Sequence, residues 1–350
     1  MPHTMVVGAG ILGASIAFHL ARAGARVTVV ARDAPGGRAT PASFAWINAS
    51  WGNDPTYYEL RMESIRRWRR LEQELPGLGL SWGGSLTYDV PEDVLDRYVA
   101  EFSARGYPLR PVSQREIRSL EPHLMSPPER AVLAEAEGAV EPVQATIELL
   151  RASGAVMVRS NVQGIDLAGD RVHSVMTDEG SLEADEVVVA VGAAAPELLA
   201  TVGRRLELDA PPGLLVHTKP LPRLIAHLII APEVHLRQTR DCRLVAGSDF
   251  GGSPIDRGPM VVAQELLDLV HGMVAGAEGA EFERYSVGYR PTPVDGLPIA
   301  GRVAGIEGLY VAVMHSGITN APAIGAFVAE EILNGKRHPL LNPYGLDRFG

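Results

Sequence analysis

Apolar residues at the start of the chain follow first the pattern of a buried strand and then that of a helix. Residues 5–7 are a short apolar run, and apolar positions then recur at helical spacing over residues 11–24. A second apolar run covers residues 27–30. Continuous apolar runs are typical of strands covered on both faces, whereas helices need a period near 3.6. The pattern predicts a strand, a turn, a helix and a second strand.

Comparable patterns continue along the chain. Helical periodicity covers residues 55–75, 91–105, 143–154 and 261–274. Strand patterns cover residues 82–88, 156–159, 164–167, 172–177, 213–217, 228–231, 234–236 and 244–249. The apolar run 187–191, which ends at Gly192, predicts a strand inside a parallel sheet. Prolines punctuate residues 106–138, where we expect irregular structure outside the first domain.

Three glycines lie between the first strand and the first helix, at the spacing Gly-x-Gly-x-x-Gly. Gly8 permits a tight turn, Gly10 lets the backbone approach a pyrophosphate, and Gly13 lets helix and strand pack closely. Free N–H groups and the helix dipole would then face the phosphates. The motif predicts a dinucleotide-binding βαβ unit, and the alternative is a tight turn in another α/β unit.

The end of the second strand departs from this pattern. A carboxylate is usual about 20 residues beyond the glycines, where it binds the ribose hydroxyls. Ala31 occupies that place and Arg32 follows it. Arg32 suits a 2′-phosphate, as in a nicotinamide dinucleotide phosphate, or packs over an adenine face while remaining solvated. Asp33 is a candidate to replace part of the lost ribose contact.

Composition and charge exclude several classes of protein. The 350 residues suffice for two domains, and a net charge of −10 argues against a nucleic-acid binder. Cys242 is the single cysteine, which excludes disulfides within the chain and favours the cytoplasm. No apolar run is long enough to span a membrane, because His227 and Pro232 interrupt the best candidate. We therefore expect a small-molecule partner.

Two segments mix residue types that line pockets. Trp46 and Trp51 flank Asn48 in a loop, which predicts apolar pocket walls with a polar group, or else loop anchors packed on the core. Arg290 lies between proline-rich turns and is a candidate for substrate binding, or for tying two loops together. The arginines of the helix 55–75 alternate with glutamates and predict a solvated, salt-bridged face.

The last part of the chain repeats the strand, turn and helix pattern. A strand over residues 309–313 precedes Gly317, and a helix runs from there to about residue 333. The N-terminus of that helix would offer a second site for negative charge.

Four motifs in this order resemble the flavin-dependent D-amino-acid oxidase family, which includes glycine oxidase and sarcosine oxidase. They are residues 8–13, the strand 187–192 with its following Ala-Pro-Glu-Leu-Leu, residues 289–299, and the turn into a helix at 315–322. The resemblance covers nearly the whole chain.

The resemblance implies an α/β fold with a discontinuous organisation. A Rossmann-like FAD-binding domain would comprise residues 1–80, 139–205 and 286–350. A discontinuous α+β substrate domain, built on an antiparallel or mixed sheet, would comprise residues 81–138 and 206–285.

The resemblance also implies an extended, noncovalently bound FAD. Gly288 lies where covalently flavinylated sarcosine oxidases have a cysteine, and Cys242 is an improbable substitute. The turn at residues 317–319 should approach the flavin ring. The expected cofactor residues are Gly8, Gly10, Ile11, Leu12, Gly13, Arg32, Thr40, Val162, Gly192, Gly317, Ile318 and Thr319.

Five residues are expected on the substrate side. Arg290 resembles the arginine that binds the substrate carboxylate in members like glycine oxidase, and His235 falls where such members have a tyrosine. Asn48 and Trp51 fall on the loop that covers the flavin in members like sarcosine oxidase. His315 is expected to make a structural hydrogen bond rather than to act as an acid or base.

The activity implied is oxidation of an amino acid or related amine by hydride transfer to flavin N5. The resulting imine would hydrolyse to an oxo acid, with O2 or another electron acceptor reoxidising the flavin. Two alternatives remain, a flavin-dependent 2-hydroxy-acid dehydrogenase and a non-catalytic flavin-binding protein. The residues do not specify the oligomeric state.

Overall fold

The computed structural model describes residues 2–49, 53–248, 252–253 and 255–349. The α-helices in these ranges are α1 Ile11–Arg22, α2 Pro55–Glu74, α3 Glu92–Ala104, α4 Gln114–Leu120, α5 Pro142–Ser153, α6 Ala195–Ala200, α7 Pro259–Met273 and α8 Gly317–Asn334. The strands are β1 His3–Val7, β2 Arg26–Ala31, β3 Trp46–Ile47, β4 Leu80–Ser81, β5 Ser85–Thr87, β6 Leu109–Ser113, β7 Arg130–Ala134, β8 Gly138–Val140, β9 Val156–Arg159, β10 Val162–Ala168, β11 Arg171–Thr177, β12 Gly180–Glu183, β13 Glu186–Val189, β14 Leu208–Asp209, β15 Pro212–Thr218, β16 Leu228–Ile230, β17 His235–Gln238, β18 Leu244–Gly247, β19 Phe282–Tyr289, β20 Thr292–Pro293, β21 Ile299–Arg302 and β22 Leu309–Val313.

A six-stranded sheet in the order β21-β22-β13-β1-β2-β9 forms the centre of one half of the molecule. Five of its strands are parallel, and β21 alone pairs antiparallel, with β22. The helices α1 and α8 pack on one face, and the antiparallel strands β10 and β11 pack with α6 on the other. The strands β1 and β13 are therefore almost fully buried and can be continuously apolar. This confirms the predicted mixed α/β fold with a parallel Rossmann-like sheet.

An eight-stranded sheet in the order β19-β15-β18-β17-β16-β5-β7-β6 forms the other half. Its pairs are antiparallel except β16 with β5. Its strands come from residues 85–134 and 212–289, so β19 extends past the predicted domain boundary at 286 because it pairs with β15. The predicted division into domains stays a prediction.

The expectation of irregular structure over residues 106–138 is wrong. The strands β6 and β7 pair there, and the short helix α4 lies between them. Pro111 fits within β6 because β6 is the edge strand of its sheet, where a missing N–H costs no ladder hydrogen bond. Ser113 and Glu116 form a capping box that starts α4.

The N-termini of α1 and α8 lie together because the two helices pack closely. Ser15 Oγ donates a hydrogen bond to the carbonyl oxygen of Ala321 (2.7 Å). A Cβ on Gly325 would lie 2.4 Å from Ser15 Oγ, so glycine is needed at the crossing. Trp68 of α2 donates from Nε1 to the carbonyl oxygen of Ile318 (3.0 Å) and fixes the first turn of α8. In the described parts of the chain, no helix is long and apolar enough to cross a membrane.

Candidate active site

Two glycines of the first turn are required by contacts with neighbouring backbone. Gly8 has a φ of 113°, and a Cβ there would lie 2.4 Å from the carbonyl oxygen of Ala190 after β13. A Cβ on Gly13 would lie 1.9 Å from the carbonyl oxygen of Gly8. Neither position can accept a side chain without moving the main chain. Gly13 therefore sets how closely α1 approaches the end of β1, and Gly8 sets how closely this turn approaches the segment after β13.

Gly10 is different, because it faces open space. It is the N-cap of α1 in an extended conformation, and a Cβ there would make only ordinary contacts, with Thr40 Oγ1 at 3.4 Å. The backbone N–H of Ile11 donates to that same Thr40 hydroxyl (3.2 Å). Leu12 also lines the open space. The start of α1 thus presents its positive end and Thr40 to a ligand.

A cavity of about 1210 Å³ begins at this turn and continues between the two large sheets. Every cofactor residue expected from the sequence, except Gly13, lines it. Its walls at the other end come from β3, β15 and the segments that precede α8. The described residues there include Phe44, Trp46, Asn48, Arg61, Leu215, Tyr289, Arg290, His315 and Ser316.

The end of the cavity nearest β2 contains Ala31, Arg32, Asp33 and Val162. The side chains of Arg32 and Asp33 are each about half exposed, and Arg32 Nη2 lies 3.5 Å from Asp33 Oδ2. Val162 begins β10 on the same side. A carboxylate therefore lines the cavity two residues beyond Ala31, and its role toward a ribose stays a prediction.

The other end of the cavity contains the first turn of α8. Ser316 precedes that helix with a φ of 54°, and Gly317 and Ile318 line the cavity. Thr319 Oγ1 donates to the carbonyl oxygen of Trp46 (3.2 Å) and accepts from the N–H of Asn48 (3.4 Å). Thr319 therefore holds the segment after β3 against α8. Trp51, expected on that segment, lies outside the described residues.

Arg61 is a cavity residue that the sequence reasoning missed. It is 5% exposed and donates from Nε to the carbonyl oxygen of Asn48 (2.9 Å), from Nη2 to Asn48 Oδ1, and from Nη1 to Ser316 Oγ (3.1 Å). A signal was present in the sequence. Arg61 falls on the apolar stripe of α2, three residues after Tyr58 and four before Ile65, where a solvated arginine would not be placed.

Arg290 lies on the cavity wall directly after β19. Its backbone N–H donates to the carbonyl oxygen of Pro211 (3.2 Å), and its Nη2 lies 2.9 Å from the position that a Cβ would take on Gly213. Gly213 pairs with Gly288, so two glycines in adjacent strands make room beside the guanidinium. The geometry offers a planar cation at the same end of the cavity as the first turn of α8.

Both ring nitrogens of His315 are engaged in hydrogen bonds. Nε2 lies 2.8 Å from the carbonyl oxygen of Gly296, which can only accept, so Nε2 carries the proton. Nδ1 then accepts from Ser316 Oγ (2.8 Å), which in turn accepts from Arg61. Burial, followed by the Arg61 charge, lowers the pKa of His315 and keeps the ring neutral. This is the arrangement of a structural histidine.

His235 does not share the cavity. It lies in β17, is 3% exposed, and its ring faces Phe44 at 6.3 Å between centroids. Its Nε2 is 3.7 Å from Asp89 Oδ2. Phe44 lines the cavity whereas His235 does not, so this position gives no support to the expected contact with a substrate carboxylate.

A hydrogen-bonded cluster behind the cavity also escaped the sequence reasoning. Glu137 is fully buried and accepts from Trp46 Nε1 (2.7 Å), Ser85 Oγ (2.6 Å) and the hydroxyl of Tyr107 (2.8 Å). The Tyr107 oxygen also accepts from the N–H of Ala49 (3.3 Å). The cluster fixes the indole of Trp46 at the cavity wall.

Comparison with known proteins agrees with this geometry. A family model described as FAD dependent oxidoreductase matches residues 3–331. The chain is 28% identical to the oxidoreductase YurR of Bacillus subtilis, over 98% of both chains. It is 27% identical to a glycine oxidase of Pseudomonas aeruginosa, over 97% of this chain and 96% of the relative.

Solved structures give the same result. The crystal structure of glycine oxidase from Geobacillus kaustophilus superposes with a TM-score of 0.87 at 25% identity, and the match covers 99% of each chain. The similarity therefore extends over both halves of the molecule and is not confined to the glycine turn.

Proposed function

This chain belongs to the family of FAD-dependent oxidoreductases and is an enzyme of the amino acid or amine oxidase kind. We propose that it oxidises the Cα–N bond of a small amino acid, or of a related amine that carries a carboxylate. The observation that supports this substrate class best is Arg290, a guanidinium on the cavity wall at the end where α8 begins. Arginine matches a carboxylate through two parallel hydrogen bonds.

The residues present fit an extended FAD. Gly10 leaves the start of α1 open, and the hydroxyl of Thr40 beside it would lie next to the phosphates. Asp33 and Val162 would meet the ribose and adenine, and residues 317–319 would meet the flavin ring. We propose noncovalent binding, because Cys242 does not line the cavity and a Cβ on Gly288 would lie 2.7 Å from Cβ of Ala42.

When bound, FAD supplies an acceptor for the hydride that leaves the substrate Cα. The chain's own contribution is mainly positioning. Arg290 would hold the carboxylate, while the apolar surface of Phe44, Trp46 and Leu215 on the cavity wall would exclude water from the reacting carbon. The glycine oxidase relatives act on the smallest amino acid, which is consistent with a substrate that depends on the carboxylate for its orientation.

His315 would not act as the base in this scheme. Its Nε2 proton is held by the Gly296 carbonyl and its Nδ1 lone pair by Ser316. The amine would instead lose its proton to solvent before the C–H bond breaks, and the imine product would hydrolyse to an oxo acid.

The test is reduction of the bound flavin under anaerobic conditions by a panel of D-, L-, N-methyl and cyclic amino acids, matching amines without a carboxylate, and 2-hydroxy acids. At least one amino acid should bleach the flavin, and its decarboxylated amine should do so far more slowly. Arg290→Met should raise the substrate concentration for half-maximal reduction by about 100-fold, the loss of a charged hydrogen-bonded pair.

The matched control is Arg284→Met, which removes an exposed arginine from β19 and should leave the reduction unchanged. Reduction by hydroxy acids alone would replace the proposal with a hydroxy-acid dehydrogenase. A flavin that no compound reduces would indicate a non-catalytic flavoprotein. Repeating the turnover with O2 and with an artificial acceptor identifies the electron acceptor.

A further inference from the structure

Arg61 is a buried charge that the proposed mechanism does not use. Its guanidinium remains protonated at any accessible pH, and its three acceptors, two on Asn48 and one on Ser316, are neutral oxygens. Among the residues that the structure describes, no carboxylate forms an ion pair with it within 4.0 Å. Arg237, equally buried, pairs with Glu141 at 3.1 Å. Arg61 therefore differs from Arg237 in lacking a carboxylate partner among the described residues.

The same corner of the cavity has a second source of positive potential. The helix α8 has 18 residues, and its first turn contains no acidic side chain. Its positive end lies where Arg61 contacts Ser316, the N-cap residue. His315 is neutral and Arg290 lines the same cavity. A buried cation without an opposite charge is costly, so this corner is organised to receive negative charge.

The strained backbone at Ser316 is part of the same unit. Ser316 has a positive φ of 54°, which non-glycine residues rarely adopt, and its hydroxyl is held on one side by Arg61 and on the other by His315. Asn48 is fixed by two hydrogen bonds from the same guanidinium. Arg61 thus joins the segment after β3 to the start of α8.

We propose that Arg61 is a positioning residue whose fixed charge, with the N-terminus of α8, stabilises the negative charge that the bound flavin gains on reduction. The inference rests on the proposed function, which puts FAD in this cavity with its ring at the start of α8. A hydride carries two electrons and one proton from the substrate, so its acceptor gains one negative charge. Arg61 and the helix terminus lower the free energy of that charged state.

The experiment measures the reduction equilibrium of the flavin rather than turnover. The FAD-loaded protein is equilibrated with a reference redox dye, and the ratio of reduced to oxidised flavin is read at a fixed dye ratio. Arg61→Met should lower that ratio by about tenfold or more, and Arg61→Lys should restore most of it. Arg70→Met removes an exposed charge from the same helix and should leave the ratio within about twofold.

If Arg61→Met folds poorly, a second variant tests whether the charge of Arg61 affects flavin reduction. Arg61→Gln removes the charge and keeps a side-chain amide that can donate to the oxygens of Asn48. The inference predicts a similar fall of about tenfold in the ratio without a lower melting temperature. A purely structural role for Arg61 predicts an unchanged ratio.

The results separate the two proposals. A ratio within about twofold of the parent in both variants, with FAD bound, would overturn the role of Arg61 and leave the proposed function standing. The expected shifts in a protein whose flavin no amino acid reduces would overturn the substrate proposal and keep the role of Arg61. A parent protein that binds no FAD would overturn both.

Discussion

The guanidinium of Arg290 lies against the backbone of Gly213, with Nη2 only 2.9 Å from the position of a Cβ on that glycine. Any side chain at Gly213 must therefore displace the end of Arg290. The displaced group is the far end of a flexible side chain, so its displacement should change the stability of the fold little. The absence of a side chain at Gly213 therefore helps to set the orientation of the Arg290 guanidinium, the group proposed to bind the carboxylate.

Gly213→Ala should weaken substrate binding without unfolding the protein. We expect KM for the amino acid to rise about tenfold, because a bidentate contact tolerates little misplacement, while the melting temperature stays close to that of the parent. Gly272→Ala, on α7 with open space around its Cβ position, is the matched control. Unchanged KM in Gly213→Ala would show that Arg290 does not orient the substrate.

The glycines of the first turn should separate folding from cofactor binding. Gly13→Ala places a Cβ 1.9 Å from the Gly8 carbonyl oxygen and should destabilise the apoprotein by about 1–3 kcal/mol. In Gly10→Ala the nearest backbone atom to the new Cβ is the Gly36 carbonyl oxygen at 3.9 Å, so the apoprotein should keep its stability while affinity for FAD falls. Urea unfolding of both apoprotein variants measures their stability, and titration with FAD measures their affinity for the cofactor. Equal loss of apoprotein stability in the two variants would contradict it.

The Glu137 cluster should contribute to stability and to the environment of Trp46. Glu137→Leu removes the acceptor of three hydrogen bonds and should lower the free energy of unfolding by about 3 kcal/mol or more. Glu137→Gln, which keeps one acceptor oxygen, should cost less. Glu135→Gln, at the exposed neighbouring acid, is the control. Urea unfolding followed by tryptophan emission reports both effects.

Two buried histidines should make the protein less stable in mild acid. Burial lowers the pKa of His19 and of His217 to about 3. Between that value and the ordinary value of 6.5 the unfolded chain binds more protons than the folded one, so stability falls as pH falls through this range. Each histidine should contribute up to about 1.4 kcal/mol per pH unit.

Urea unfolding between about pH 7 and about pH 5 measures that slope. His217→Gln, which retains a polar group facing Ser286, should reduce the slope by the contribution of one histidine. The same slope in the parent and in His217→Gln would mean that His217 does not titrate on unfolding.

Much of the fold could be predicted because local pattern and tertiary environment agree. The strand β9 is found at the predicted residues 156–159, and α2 ends one residue before the predicted 75. The failure over residues 106–138 has a clear cause. Prolines in a sequence suggest that strands and helices are interrupted. Pro111 lies in an edge strand, where its missing N–H costs no hydrogen bond, and only the assembled sheet shows which strand is at the edge.

Only some residues of the candidate site could be predicted from the sequence. Arg290 was singled out as a lone arginine among prolines, and its place on the cavity wall is consistent with that choice. Arg61 was overlooked because arginines on α2 alternate with glutamates, which predicts a solvated face. His235 lies in β17, where alternate side chains point to opposite faces, so its place in the sequence does not say which face meets the cavity.

The sequence by itself determined the glycine turn and most of the helices and strands, since these depend on spacing along the chain and on the backbone freedom that glycine provides. The order of four motifs indicated the family by resemblance. Only the tertiary structure decided that Arg61 carries no carboxylate partner among the described residues, that His315 has both nitrogens engaged, and that His235 does not line the cavity. The physical reason is that charge compensation and hydrogen-bond satisfaction depend on distances between segments far apart in sequence. Asn48, Arg61 and Ser316 meet only when α2 and α8 pack together.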